Sequence, residues 1–434
     1  MKIGFIAYPA SGHLYPMTAL ARKLQSRGHE VICIGVPDTE PIVRAAGLTF
    51  VPYCEEEFPS GSLTDAYAPV AKMQGMEVVT YTSEKIFAPL TRAALKHLPQ
   101  TLEQTGVEAL VIDTIHFFLE LVPINMGIPY AQVCCALPLD LSGTTPPFIF
   151  NWPHETTSEA LTRNIEGVHQ AVQTLLPVLA EATHYADSTD LRSNWQEPGS
   201  TLSKLAVITQ TPKEFDFPGI PWPAQFHYAG PLHDGEGREP VAFPWQELNG
   251  KPLIYASLGT LVNGLNHAYK AILEATEELP EVQLVLSVGH SINPDDLRPI
   301  PPHAIIVRTA PQLQLLKRAA LCITHAGLNT TLEALAQGVP MVALPIGYDQ
   351  PGVAARIEYH RVGKSLEVAA LTGKRTLKAI REVLEKPSYR ARARYFQKVI
   401  KRTCGLEVAA DRIEDAFQNE TIATNRSKKF DFVG

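Results

Sequence analysis

Two places in this 434-residue sequence gather side chains able to do chemistry. The denser one lies in the C-terminal half. It runs through Thr309-Ala310-Pro311-Gln312, then Thr324-His325-Ala326-Gly327-Leu328-Asn329-Thr330-Thr331-Leu332-Glu333, then Pro345 and Asp349-Gln350. An apolar run ends at His325, small Ala326 and Gly327 permit close backbone approach, and Asn329-Thr330-Thr331 opens a helical pattern. The amino end of a helix presents unpaired N–H groups and the positive end of the helix dipole, which suits a diphosphate. His325 adds a donor, and Asn329 and Thr330 add side-chain hydrogen bonds; on local chemistry alone the same residues serve equally well as a plain cap. Glu333 falls one turn after Asn329, where a carboxylate could accept from two ribose hydroxyls, although glutamate is common in helices. Asp349 and Gln350 follow a short apolar run and read as a loop, from which acid and amide groups bind sugar hydroxyls or simply form a turn at Gly347-Tyr348-Asp349.

The second constellation is Gly12-His13, read as lying in the loop after the first strand, with Asp113 at the end of a later strand. Ligands of open α/β sheets bind beyond the carboxyl ends of strands, so two distant residues at such ends can converge. A histidine of ordinary pKa near 6.5 can take a hydroxyl proton at neutral pH, and an adjacent carboxylate fixes its tautomer and stabilises the imidazolium. Taken alone, a single loop histidine is more often structural.

The elements needed to position these groups are legible. Lys2 to Tyr8 is a strand broken by a Pro/Gly/Ser turn, Tyr15 to Arg27 has helical periodicity, Glu30 to Val36 is another strand and Glu40 to Ala46 a short helix. Ala109 to Ile112 and Ile128 to Val133 read as later strands flanking a helical Phe117 to Met126. This βα alternation predicts a parallel, doubly wound sheet. Phe58 to Ala109 and Leu137 to Leu202 are less regular and rich in aromatics, as acceptor-binding insertions are. A polar, Gly-rich run from His233 to Pro240 marks a linker, after which strands at Leu253–Ser257, Gln283–Val288, Ala304–Val307, Leu321–Thr324 and Met341–Leu344 repeat the architecture. The reading is therefore an α/β protein of two Rossmann-like domains facing a cleft: residues 1–232, a linker at 233–250, a second domain at 251–400, and a closing helix with a less ordered tail at 401–434.

A net charge of −7 argues against a nucleic-acid partner, which needs clustered Lys and Arg. Residues 251–434 nevertheless hold 24 Lys and Arg against 18 Asp and Glu, a balance that favours an anionic ligand there. Six cysteines without metal-ligand spacing read as buried thiols in a reducing cytoplasm. The opening apolar run is too short for a signal peptide, and no stretch reaches the roughly 20 apolar residues of a membrane span. A nicotinamide dehydrogenase would suit two such domains and could use Asp38 for ribose, but the first turn holds a single Gly12 where that fingerprint needs three glycines.

In its order and spacing, the C-terminal block resembles the nucleotide-sugar signature of the UDP-dependent inverting glycosyltransferases, which include plant secondary-product, macrolide and carotenoid glucosyltransferases. Its wording around His325 and from Asp349 to Arg356 is most similar to the zeaxanthin glucosyltransferase branch. The resemblance spans essentially the whole chain and implies a GT-B arrangement. By it, His13 would be the general base oriented by Asp113. His325, Gly327, Asn329 and Thr330, with Gly12 and the Ser257-Leu258-Gly259-Thr260 loop, would meet the diphosphate. Gln312 and Glu333 would meet the ribose, Thr309-Ala310 would lie at the base, and Asp349 with Gln350 would bind the sugar. The implied partners are a UDP-sugar donor and a small hydrophobic, hydroxyl-bearing acceptor; a lipid acceptor would bring the enzyme to a membrane surface. No cofactor or metal is expected, since Asp295-Asp296 reads as a solvated turn. One departure is Thr309, where the plant pattern has a tryptophan that stacks on uracil, so base stacking must come from elsewhere. Without the dyad, the same fold would suit a non-catalytic partner protein, and a UDP-sugar epimerase shares the donor chemistry.

Overall fold

The computed structural model describes residues 1–191, 193–197 and 199–430, with backbone only from 419 onward. Two all-parallel sheets form the frame. The first joins β1 (Lys2–Ile6), β2 (Glu30–Gly35), β3 (Thr49–Pro52), β4 (Ala109–Asp113), β5 (Tyr130–Cys134), β6 (Val207–Thr209) and β7 (Phe226–Tyr228) in the order β3-β2-β1-β4-β5-β6-β7. The second joins β8 (Leu253–Ser257), β9 (Gln283–Ser287), β10 (Ala304–Val307), β11 (Ala319–Thr324), β12 (Met341–Ala343) and β13 (Gly363–Ser365) in the order β10-β9-β8-β11-β12-β13. Both are doubly wound, and each reverses direction once, between β1 and β4 and between β8 and β11. These reversals are where open α/β sheets leave a crevice for ligands.

The central strands are buried on both faces, which is why they read as plain apolar runs: all five residues of β4 are buried, as are Ile3, Phe5 and Ile6 of β1. The first helix, α1 (Ser11–Ser26), begins four residues before the periodicity indicated, because the Ala10 carbonyl already accepts from His13 N and Leu14 N at 2.9 Å. His13 is thus in the first turn of a helix and not in a loop. The two segments read as irregular insertions are largely helical: Ala88–Thr105 follows shorter helices in the first, and Ser158–Gln173 and Leu176–Ser188 fill the second. Their aromatic and turn residues hid the periodicity.

β7 ends at Tyr228 and β8 begins at Leu253, so the sheets divide on either side of the predicted linker. The last helix, Gly405–Phe430, returns to the first sheet, where Ala409, Ala410, Ile413 and Phe417 are buried with Met17, Leu20 and Leu24 of α1. Arg27, just after α1, reaches Glu407, Asp411 and Glu414 of that helix. The expectation of a less ordered tail concerns side chains from 419 and residues 431–434, which lie outside the described residues. Among the described residues no helix is long and apolar enough to cross a membrane.

Candidate active site

The two sheet reversals face one another, and every predicted site residue lies at or near one of them. In the first domain β1 and β4 pair side by side, Ile6 opposite Ile112, so the turn after β1 and the end of β4 emerge together. That register brings His13 to Asp113 across 100 residues of sequence: His13 Nδ1 lies 2.7 Å from Asp113 Oδ2. Asp113 is buried and fixed by Tyr8 N on Oδ2 at 3.3 Å and Ile115 N on Oδ1 at 3.2 Å. With Nδ1–H donated to the carboxylate, neutral imidazole leaves Nε2 bare as proton acceptor. Burial pulls the His13 pKa down, but the charge and hydrogen bond of Asp113, with a smaller contribution from Asp349, outweigh it and hold the pKa above its ordinary value.

In the second domain Thr324 pairs with Ser257, so the turn after β8 and the end of β11 also emerge together. His325 follows β11, and its ring lies on two glycines. A Cβ at Gly259 would stand 2.7 Å from His325 Nε2, and one at Gly327 2.4 Å, so both positions exclude a side chain. Burial pushes the His325 pKa down to about 4, against the opposing effect of a bond the ring donates to the Ser257 backbone carbonyl, so the ring is neutral. Its Nδ1 is buried with no partner among the described residues. Such an orphaned atom calls for a ligand to satisfy it. Gly327 then caps the nine-residue helix α2 (Leu328–Ala336) without a side-chain bond, leaving the first backbone N–H groups available.

Around this helix the predicted ribose group is assembled. Gln312 Nε2 donates to Glu333 Oε2 at 2.6 Å and to Thr330 Oγ1 at 3.2 Å, and Gln312 Oε1 accepts from Tyr255 OH at 3.0 Å. Glu333 is buried, and its Oε1 accepts from Arg238 Nη2. Thr309 and Ala310 lead into Gln312, with Thr309 exposed.

Four predicted residues, Gly12, Thr260, Asn329 and Asp349, connect the halves. Asn329 Nδ2 donates to Gly12 O at 2.6 Å, and Ser11 Oγ lies 3.1 Å from Thr260 Oγ1. The first contact has a cause in sequence: Pro16 has no N–H to return to the Gly12 carbonyl four residues back, which leaves that oxygen for Asn329. Asp349 lies in the predicted turn, as the residue before the helix Gln350–Tyr359, whereas Gln350 is not in a loop but opens that helix. Asp349 Oδ2 accepts from Leu137 N at 3.1 Å, and Gln350 Oε1 accepts from Ile346 N at 2.9 Å and Gly347 N at 3.1 Å. Their acceptor oxygens therefore shape the loop between the domains as well as facing it.

The sequence reading missed Arg238, placed in the linker as mere punctuation, and Gln210, whose Nε2 donates to Asn329 Oδ1 at 2.8 Å. Gln210 directly follows β6, a strand end that would have been the signal. Asp38 accepts from Gly61 N and Leu63 N, so it holds a loop instead of waiting for a ribose. One trio of possible metal ligands among the described residues, His13, Asp113 and Cys135, lies within 4.8 Å. Its members are bonded to one another and to the backbone: His13 Nδ1 and Tyr8 N share Asp113 Oδ2, Ile115 N donates to Oδ1, and the Cys135 thiol points at His13 O.

Two facing Rossmann-like domains, with a hydrogen-bonded His13–Asp113 pair on one and a helix terminus with an unsatisfied histidine on the other, are the arrangement of a glycosyltransferase of the GT-B fold. The sequence profile of the UDP-glucoronosyl and UDP-glucosyl transferase family matches residues 210–401. Zeaxanthin glucosyltransferase of Pantoea ananas is 30% identical over 415 residues, 94% of each chain. NDP-glycosyltransferase YjiC of Bacillus subtilis (strain 168) is 27% identical over 95% of this chain and 96% of its own. The fold matches the calicheamicin glycosyltransferase CalG4 with a TM-score of 0.69 at 21% identity, covering 96% and 98% of the two chains. The chain belongs to the UDP-glucoronosyl and UDP-glucosyl transferase family.

Proposed function

We propose that this enzyme moves glucose from UDP-glucose to a hydroxyl of a small apolar acceptor with inversion at C1. The observation that carries the reading is the 2.7 Å His13–Asp113 bond placed opposite the His325 helix terminus. His13 Nε2 takes the acceptor proton as the acceptor oxygen bonds to C1 and the C1–oxygen bond to UDP breaks, leaving His13 as imidazolium beside the Asp113 carboxylate. Charge arriving on UDP is met by the α2 terminus, by His325 in the tautomer that moves its single proton from the Ser257 side to Nδ1, and by the hydroxyls of Thr330, Ser257 and Thr260, with no metal ion. Gln312 and Glu333 receive the ribose, and Asp349 and Gln350 border the sugar. The relative that glycosylates zeaxanthin supports an apolar acceptor.

An aromatic wall beside the base supports the same choice. Tyr8 meets His13 edge-on at 5.4 Å between ring centroids, Phe87 lies 5.1 Å from Tyr8, and Phe117 5.5 Å from Phe87. This wall leads from the base into the helices of the first insertion. Because Asn329 and Thr260 bind the opposite domain in this state, donor entry requires them to exchange those partners for phosphate oxygens.

The test is UDP release from UDP-glucose with a panel of hydroxylated apolar compounds, before and after a strong chelator, with the anomeric configuration of the product read by NMR. Turnover that survives chelation and yields the β-anomer from α-linked UDP-glucose is expected. A retained α-configuration, or activity that returns only with magnesium or manganese, would sink this mechanism.

A further inference from the structure

Arg238 comes from the linker yet ends inside the nucleotide site. Its guanidinium is ion-paired to Glu333, with side-chain exposures of 25% and 2%. A carboxylate so buried is costly unless paired and hydrogen-bonded. Arg238 is itself held from the other domain. It lies over the ring of Tyr15 at 4.8 Å from the centroid. Asp234, earlier in the linker, accepts from Arg22 Nη2 at 2.7 and 2.8 Å. Gly237 lies so close to Arg22 that a Cβ there would stand 3.1 Å from Cζ. Tyr15 and Arg22 are two turns apart on one face of α1, the helix that carries His13 in its first turn. The linker is thus strapped along α1 and delivers a cation to Glu333. The cleft beside this pair is bordered by Gln210, His233, Asn329 and Leu332. Both ring nitrogens of His233 are buried there without a partner among the described residues, an arrangement suited to a polar ligand.

We propose that Arg238 is a positioning residue of the donor site: by holding the Glu333 carboxylate in place, it sets the preference for a nucleotide with an intact ribose diol over its 2′-deoxy counterpart. The proposal rests on the reading of Glu333 as the ribose acceptor. A carboxylate offers about four lone-pair sites. Gln312 and Arg238 occupy two, leaving two for the 2′- and 3′-hydroxyls. Without the guanidinium the carboxylate is free to turn toward other donors, and the diol loses acceptors it needs. Because the strap runs along α1, the same residue ties ribose recognition to the helix that places the base.

The experiment is calorimetric titration of the full chain with UDP and with 2′-deoxy-UDP, for the native protein, Arg238→Met, Arg238→Lys and Glu333→Gln. The native protein is expected to favour UDP by about tenfold or more, the span of a hydrogen bond to a charged group. In Arg238→Met the ratio is expected to fall to within about twofold, because UDP loses two bonds to Glu333 and 2′-deoxy-UDP, which keeps only the 3′-hydroxyl, loses one. Arg238→Lys, which keeps the charge but not the planar fork, should give an intermediate ratio. A merely structural Arg238 would weaken both nucleotides alike. A native ratio near one overturns the proposal, as does a folded Arg238→Met with the native ratio while Glu333→Gln abolishes it. If Glu333→Gln also keeps the native ratio, the ribose reading of Glu333 falls and takes the proposal with it. Should Arg238→Met fail to fold, a native ratio in Arg238→Lys overturns the proposal.

Discussion

His13 and His325 stand at the sheet reversals of two domains with one topology, yet their electrostatics are opposite. His13 has a buried carboxylate at 2.7 Å and a pKa raised above its ordinary value; His325 has only a backbone partner and two glycines, and burial takes it down to about 4. Burial acts on both rings in the same sense. The difference lies in whether the neighbouring strand ends in an acid: β4 ends in Asp113, whereas β8, its counterpart beside β11, ends in Ser257. A proton acceptor needs a partner for the charge it acquires, while a phosphate ligand brings its own charge. One frame therefore supports proton transfer on one side and anion binding on the other.

The sharpest way to break this comparison is to remove the base. His13→Ala should lower kcat by on the order of 10² to 10⁴ with UDP affinity nearly unchanged, because a general base acts in the transition state. Near-native turnover onto an alcohol would end the role of His13. Asp113→Asn should also be slow, and it adds a test through pH. Since Asp113 raises the His13 pKa, kcat/KM should fall on acidification through a value above 6.5, and the Asn variant should move that limb to lower pH. The linkage sign follows: the pair's contribution to stability is full below the unfolded histidine pKa and fades as pH rises through the folded one. A limb that stays in place in the variant would detach Asp113 from the base.

His325→Ala should act on the other side. The expected loss of UDP affinity is about 10- to 100-fold, the range for a hydrogen bond to a charged group, with a pH limb like that of the native enzyme. Unchanged UDP binding by calorimetry would leave the orphaned Nδ1 without a function. The smallest expected effect concerns the seam between the halves. Pro16→Ala restores an N–H to the Gly12 carbonyl, so the Asn329 contact, which must open for the donor, should weaken and UDP should bind about two- to fivefold more tightly, with the fold intact by thermal unfolding. If UDP affinity does not move, the carbonyl freed by the proline has no bearing on how the domains meet.

Much of this was readable without coordinates, and particular residues show why. Strands buried on both faces appear as short apolar runs between glycine and proline signals, so β1, β2, β4, β8, β9, β10, β11 and β12 were all placed to within a few residues. Edge and late strands such as β6 and β7, three residues each, left too little pattern to see. The helices of the insertions were lost among aromatics, and the Gly-rich linker looked like punctuation because its sequence is locally that of a turn. Arg238 was invisible for that reason: its partners, Glu333 and Tyr15, are set by three dimensions and by nothing near it in the chain.

The sequence alone determined which chemistry is present, because residue type and short-range order suffice to name a helix terminus that can bind phosphate and a histidine that can take a proton. It also determined the architecture, because strand and helix periodicities are local properties of the chain. Tertiary structure decided the pairing and the charge states. Parallel strand adjacency carries His13 to Asp113, and packing against glycines strips His325 of any charge partner. A proline's missing N–H frees the carbonyl that joins the domains, and a linker strapped to α1 brings a cation to Glu333. Distances of a few ångströms between residues far apart in sequence govern ionisation and hydrogen bonding, and only folding sets those distances.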